Sequence, residues 1–108
     1  MNAPQAANQL ALTARIVEMG ALRHTPAGLP ALDLRLEHES LIHEAGQPRQ
    51  VKAALKAVAL GAMAERLGAA AIGSGGRFTG FLASPRGAKS VVFHIQDFFR
   101  QDSVSGGS

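Results

Sequence analysis

Short alternating segments separated by turn-forming clusters predict an all-β domain: a five-stranded, partly open Greek-key barrel with one short helix between strands three and four. Three observations carry that expectation. Apolar and polar residues alternate with period two around Leu10–Val17 and Leu32–His38, the pattern of a strand with one buried face. Proline and glycine break the chain at Thr25–Pro30, Glu44–Pro48 and Gly73–Gly76. The segments fall in the order β-β-β-α-β-β, provided that the stretch from Val51 to Ile72 divides into a strand and a helix.

The elements are expected at 9–19, 31–38, 50–59, 76–82 and 90–98 for the strands and at about 61–70 for the helix. In the first, Leu10, Leu12, Ala14 and Ile16 alternate with Ala11, Thr13, Arg15 and Val17. In the second, Leu32, Leu34, Leu36 and His38 interleave with Asp33, Arg35 and Glu37, which puts the charges toward water. The third has two readings. Propensity alone makes Val51–Ile72 one long alanine- and leucine-rich helix. Alternation of Val51, Ala53, Leu55 and Ala57 with Lys52, Ala54, Lys56 and Val58 makes its first part a strand, with Gly61 marking the change. Arg77–Leu82 and Ser90–Phe98 complete the set, joined by the basic loop Ser84–Lys89. Residues 1–8 and 100–108 are small, polar and without pattern, and are expected to be flexible ends around a domain at 9–99. If the division holds, the order is that of the OB-fold, a small barrel that binds oligonucleotides.

Composition removes several classes of function. A chain of 108 residues is one domain on length. A chain of this size buries roughly 65% of its unfolded surface, enough for a modest core. It has no cysteine, hence no disulfide framework, thiolate nucleophile or thiolate metal site. No stretch approaches the ~20 apolar residues of a membrane span. The first twenty residues lack the features of a signal peptide. A cytoplasmic protein is expected. No Ser-His-Asp or Cys-His arrangement and no carboxylate pair in an apolar segment appears, so neither an enzyme nor a cofactor is expected. His38 and His43 lie beside Glu37, Glu39 and Glu44, but a gap of five puts the imidazoles on opposite faces of a strand. They are read as structural, not as metal ligands. Gly73-Ser-Gly-Gly76 lacks the lysine and the following helix of a phosphate loop and is read as a turn.

Charge is where a function shows. Lys and Arg number 11 against 8 Asp and Glu, and the excess is unevenly spread. From Arg49 to Lys89, the cations Arg49, Lys52, Lys56, Arg66, Arg77, Arg86 and Lys89 face only Glu65, whereas the first 44 residues are acidic. Such polarity is the footprint of a domain that meets phosphates. In an OB arrangement Lys52 and Lys56 project from one side of the third strand. Arg49 sits near the tip between strands two and three, and Arg86 and Lys89 occupy the loop between strands four and five, so the charges can converge on one groove. The competing reading is a solvated basic surface. Of the five phenylalanines, Phe93 is expected in the core and Phe98 and Phe99 at the domain edge. Phe78 and Phe81 point to opposite faces, leaving Phe81 as the candidate for stacking on a base. That interaction is worth about 1–3 kcal/mol.

The residues Leu36-Glu-His-Glu-Ser40, Glu44-Ala-Gly46 and Arg49-Gln50 resemble the second strand and following loop of the primosomal replication protein N (PriB) family. Asn8–Val17, Gly76–Leu82 and Val92–Phe98 are similar to its first, fourth and fifth strands. The resemblance covers about residues 8–99 and favours dividing Val51–Ile72 into strand and helix. It implies a homodimeric OB-fold relative of bacterial single-stranded DNA-binding proteins. It further implies binding of single-stranded DNA without sequence preference, in replication restart, with the helicase PriA and the primosomal protein DnaT as partners. Two departures qualify the match. Known members carry aromatic residues after the Glu-Ala-Gly motif, where this chain has Gln47, Pro48 and Lys52, and the loop holding Arg86 and Lys89 is shorter. Binding is thus expected to rest on charge, with Arg49, Lys52, Lys56, Arg86, Lys89 and Phe81 as the nucleic-acid-binding residues. A primosome adaptor with marginal DNA affinity and an RNA-binding OB module are the alternatives. The last residues, Ser103–Ser108, lack the acidic, hydrophobic-ended tail by which single-stranded DNA-binding proteins recruit partners, which favours the accessory family.

Overall fold

In the computed structural model, which describes residues 6–101, the strands are β1 (Leu10–Met19), β2 (Arg23–His24), β3 (Pro30–Glu44), β4 (Gln47–Leu60), β5 (Gly75–Ala83) and β6 (Val92–Arg100), with one helix, α1 (Ala62–Gly68). The five long strands and the helix occur in the expected order. Of the flexible ends expected at 1–8 and 100–108, residues 1–5 and 102–108 lie outside the described residues, and Arg100 is the last residue of β6. Asn8, which is described, exchanges two hydrogen bonds with the backbone of Leu82, donating to its carbonyl and accepting from its N–H.

Antiparallel pairings β1–β3, β3–β4, β5–β6 and β1–β5, with a short parallel contact between β4 and β6, join the strands into a barrel. The parallel seam consists only of Ala57–Phe93 and Val58–His94, so closure there is partial. One face of each long strand supplies the core: Ile16, Leu32, Leu34, Leu36, Ala57, Ala59, Phe78, Phe93 and Ile95 are all buried. Helix α1 covers one end of the barrel with Ala64 and Leu67, and Arg66 fastens it to β6 through Asp97 (3.1 Å) and the Phe98 carbonyl. Phe99 is exposed at the edge, as expected, but Phe98 is not. It is buried and stacks on Phe78 with ring centroids 4.6 Å apart. A bulge in the pairing of β6 with β5 between Thr79 and Gly80 turns Phe98 inward, which strict alternation does not anticipate. Gly80 is required there, because any side chain would collide with the His94 carbonyl.

Two further features depart from the sequence expectation. A two-residue strand, Arg23–His24, pairs with Ala31 and Pro30 and is held by a bidentate Arg23–Asp33 ion pair at 2.8 and 3.0 Å. More consequentially, β3 continues to Glu44 and β4 starts at Gln47, several residues beyond the predicted limits. Between them Ala45 (φ 52°) and Gly46 (φ 77°) form a two-residue turn with both residues left-handed. That geometry suits the twist of a tight hairpin. Among the described residues the outer part of this hairpin has no neighbouring strand, because β1 reaches β3 only at Leu34–Glu37 and β6 reaches β4 only at Ala57 and Val58. It leaves the barrel as a two-stranded ribbon, with Leu41 68% and Ile42 49% exposed.

Candidate nucleic-acid interface

The hairpin turn determines which charged residues face each other. With two residues in the turn, Glu44 pairs with Gln47, Glu39 with Lys52, Glu37 with Ala54 and Arg35 with Lys56. Directly opposed residues share a face, and Leu34, Leu36, Ala57 and Ala59 occupy the inner one. Arg35, Glu37, Glu39, Lys52, Lys56 and Val58 therefore lie on the outer face. Lys52 and Lys56 share this side, as predicted. Arg49 is an odd number of residues away from both, and its register partner is Ile42, so it belongs to the opposite face of the ribbon.

Two of the predicted cations are already paired with acids. Lys52 Nζ lies 3.7 Å from Glu39, and Arg49 Nε lies 3.2 Å from Glu44. All four side chains are more than half exposed. Such pairs are weak and exchangeable, on the order of 0–1 kcal/mol each. The five ion pairs found among the described residues do not include Lys56, Arg86 or Lys89. Arg86 and Lys89 lie in the exposed connection between β5 and β6, and Val92, the first residue of β6, borders the same cleft as Lys56.

Phe81 is on the outer face of β5, opposite His94 of β6. The two rings stack at 4.9 Å and 9°, and they border a hollow completed by Val58, Leu60, Met63 and Gln96. The partnership with His94 is absent from the sequence reading. So is a role for Arg35, which lies within the acidic first 44 residues. The Ala45–Gly46 turn is the signal that would have found it, since counting outward from a two-residue turn pairs Arg35 with Lys56. His38, by contrast, is structural, bonding the Thr13 carbonyl (2.7 Å) and the Ser40 hydroxyl (2.8 Å).

The outer face also carries a cleft of about 520 Å³, bordered by Glu18, Met19, Asp33, Leu34, Arg35, Lys56, Ala57 and Val92. The Arg23–Asp33 ion pair holds the β1–β3 connection at one side of it. Hydrogen bonding from Arg23 is the main influence keeping the Asp33 carboxyl below its ordinary pKa, and that of Arg23 is raised correspondingly. Asp33 thus remains ionised and committed to Arg23.

Residues 8–97 match the model of a family described as another single-strand binding protein family. The chain is 50% identical over 90 residues to the replication restart protein PriB of Bordetella pertussis, spanning 82% of this chain and 84% of that protein. The chain belongs to the PriB family. A solved PriB from Ralstonia solanacearum superposes with a TM-score of 0.83 at 37% identity, over 90% of this chain and 100% of the other. At the level of fold alone, this PriB-family chain also resembles a Plasmodium falciparum single-stranded DNA-binding protein solved with single-stranded DNA. That TM-score is 0.74 at 12% identity, over 94% of this chain and 100% of that one. The OB-fold is therefore the family's own. Among the described residues no helix is long and apolar enough to cross a membrane.

Proposed function

We propose that this protein is a non-enzymatic, cytoplasmic accessory factor of replication restart that binds single-stranded DNA across the outer face of its barrel. The observation that carries the reading is that Arg35, Lys52 and Lys56 lie together on the outer face of the β3–β4 hairpin in a chain half identical to a replication restart protein. Lys56, Arg86 and Lys89 meet phosphates directly. Lys52 does so by exchanging Glu39 for the ligand, at little cost because the pair is solvated, and Arg49, on the opposite face of the ribbon, can reach only a strand that passes around the hairpin. Phe81, supported by His94, offers an apolar surface to a base. A homodimer and contacts with the restart helicase PriA and with DnaT belong to the same reading and rest on the family resemblance.

One observation favours a second reading, an interaction adaptor with marginal DNA affinity. The ribbon carries no aromatic side chain at Gln47, Pro48 or Lys52, and two of its cations are paired. Fluorescence anisotropy of labelled single-stranded DNA, with duplex DNA and RNA as competitors, separates the two. If about four phosphates are contacted, log K falls with log salt with a slope of about −2.8. Affinity that ignores salt between about 50 and 200 mM sinks the charge-driven mechanism. Negligible affinity at low salt leaves the adaptor, and preference for RNA leaves an RNA-binding module. A sedimentation mass near one chain, 11.2 kDa, at micromolar concentration would contradict the dimer.

A further inference from the structure

Arg35 and Lys56 are directly opposed across β3 and β4, with both side chains on the outer face. Like charges at opposed positions repel and destabilise a sheet. Elsewhere on the hairpin that arrangement is avoided: Lys52 is opposite Glu39, and Arg49 reaches Glu44. At this one place two cations are neighbours, and neither takes part in an ion pair among the described residues. Three acids lie close by in the fold, of which Glu37, two residues along the same face, is paired with Arg15 at 3.3 Å. Asp33 is held bidentately by Arg23, and so does not compete for Arg35. Glu18 is in register with Arg35 across β1 but is outside ion-pairing distance.

The pair also borders the cleft of about 520 Å³. Small-molecule sites span roughly 300–1,000 Å³. Met19 and Val92 add apolar side chains to the cleft beside the charges. An anion next to a flat apolar group is the chemistry of a nucleotide. A guanidinium offers planar paired donors to phosphate oxygens, and an ammonium adds a compact charge.

We propose that Arg35 and Lys56 together seat one phosphate of a bound single strand, with the attached nucleoside in the adjoining cleft. This deepens the single-stranded DNA reading and rests on it. Glu18, in register with Arg35 but beyond ion-pairing distance, is the nearby negative charge that opposes an incoming phosphate. The shared ligand chemistry is a phosphate ester, so a strand must be distinguished from free phosphate.

The test is anisotropy of a labelled oligothymidylate titrated with the protein at several salt concentrations, for Arg35→Ala, Lys56→Ala, the double variant and Glu18→Gln. If both cations hold one phosphate, either single variant produces most of the affinity loss. The double variant then reduces the magnitude of the salt slope by about 0.7, the loss of one phosphate. Glu18→Gln tightens binding. Additive losses with a slope change of about 1.4 would mean two separate contacts. That result would overturn the shared seat, as would Glu18→Gln leaving affinity unchanged or weakened. Displacement of the strand by inorganic phosphate beyond that by chloride of equal ionic strength, lost in the double variant, would make this a free-anion site and refute the strand reading. Normal binding by the unaltered protein with a slope insensitive to the pair overturns this inference alone; absence of salt-dependent binding by the unaltered protein overturns the functional reading with it. The variants change exposed or half-exposed side chains, and thermal melts identify misfolding. Arg35→Gln with Lys56→Gln repeats the test with longer side chains retained.

Discussion

At the root of the β3–β4 hairpin, one face is buried under Phe93 and its neighbours, and the outward cations Arg35 and Lys56 stand together. Toward the tip, the same two strands have water on both sides, and each cation has an acid: Lys52 with Glu39, Arg49 with Glu44. Both halves follow one register from one turn. The difference teaches that a run of basic residues is not a measure of available charge. Availability depends on what the register places across the strand, and burial decides how firmly that register is held.

The contrast in burial is open to the largest effect. Phe93→Ala in the barrel should cost about 3–5 kcal/mol of stability. Leu41→Ala on the ribbon should stay within about 0.5 kcal/mol. Urea denaturation followed by circular dichroism measures both, and equal losses would mean that the ribbon is packed against something in solution. The contrast in charge is tested by binding. Lys56→Ala should weaken single-stranded DNA binding about 5- to 10-fold at low salt, or about 1–1.4 kcal/mol, and Lys52→Ala less. Glu39→Gln should strengthen it by releasing Lys52. Weaker binding by Glu39→Gln would show that the Glu39–Lys52 pair itself shapes the site.

Smaller effects test the turn and the clip. Ala45 is the non-glycine residue held at φ 52°. Ala45→Gly should therefore stabilise the protein by roughly 0.4–1 kcal/mol, since glycine removes the left-handed penalty. No gain in melting temperature would argue against the left-handed turn. The Arg23–Asp33 pair gives the smallest signal. Its carboxyl pKa is depressed on folding. The contribution is therefore complete above the ordinary aspartate range, about pH 4, and is lost as pH falls through the lowered value. Asp33→Asn should remove that part of the acid dependence and leave stability near neutral pH slightly reduced. An unchanged acid limb would show the pair to be without effect.

Much of this architecture was legible in advance. Period-two alternation located the first two strands, and the breaks at proline and glycine separated the others. The division of Val51–Ile72, favoured by the family resemblance, proved correct because tertiary pairing of β4 with β3 outweighs the helical propensity of its alanines. The same alternation placed Lys52 and Lys56 on one face and Phe78 and Phe81 on opposite ones. It went wrong at Phe98, where a bulge shifts the phase, and at the ends of the hairpin, where a polar composition concealed continued pairing. Arg35 and His94 were missed for a common reason: their partners, Lys56 and Phe81, are distant in sequence and adjacent only across strands.

From its sequence alone this protein has a one-sided pattern of apolar residues, sharp breaks between segments and a surplus of positive charge, because these depend on residue type and local spacing. Which cations stand unopposed, which rings stack and where a cleft opens were decided by the tertiary structure. Electrostatic and packing energies depend on separation in space, and the barrel brings β1, β3, β4 and β6 side by side from positions far apart along the chain.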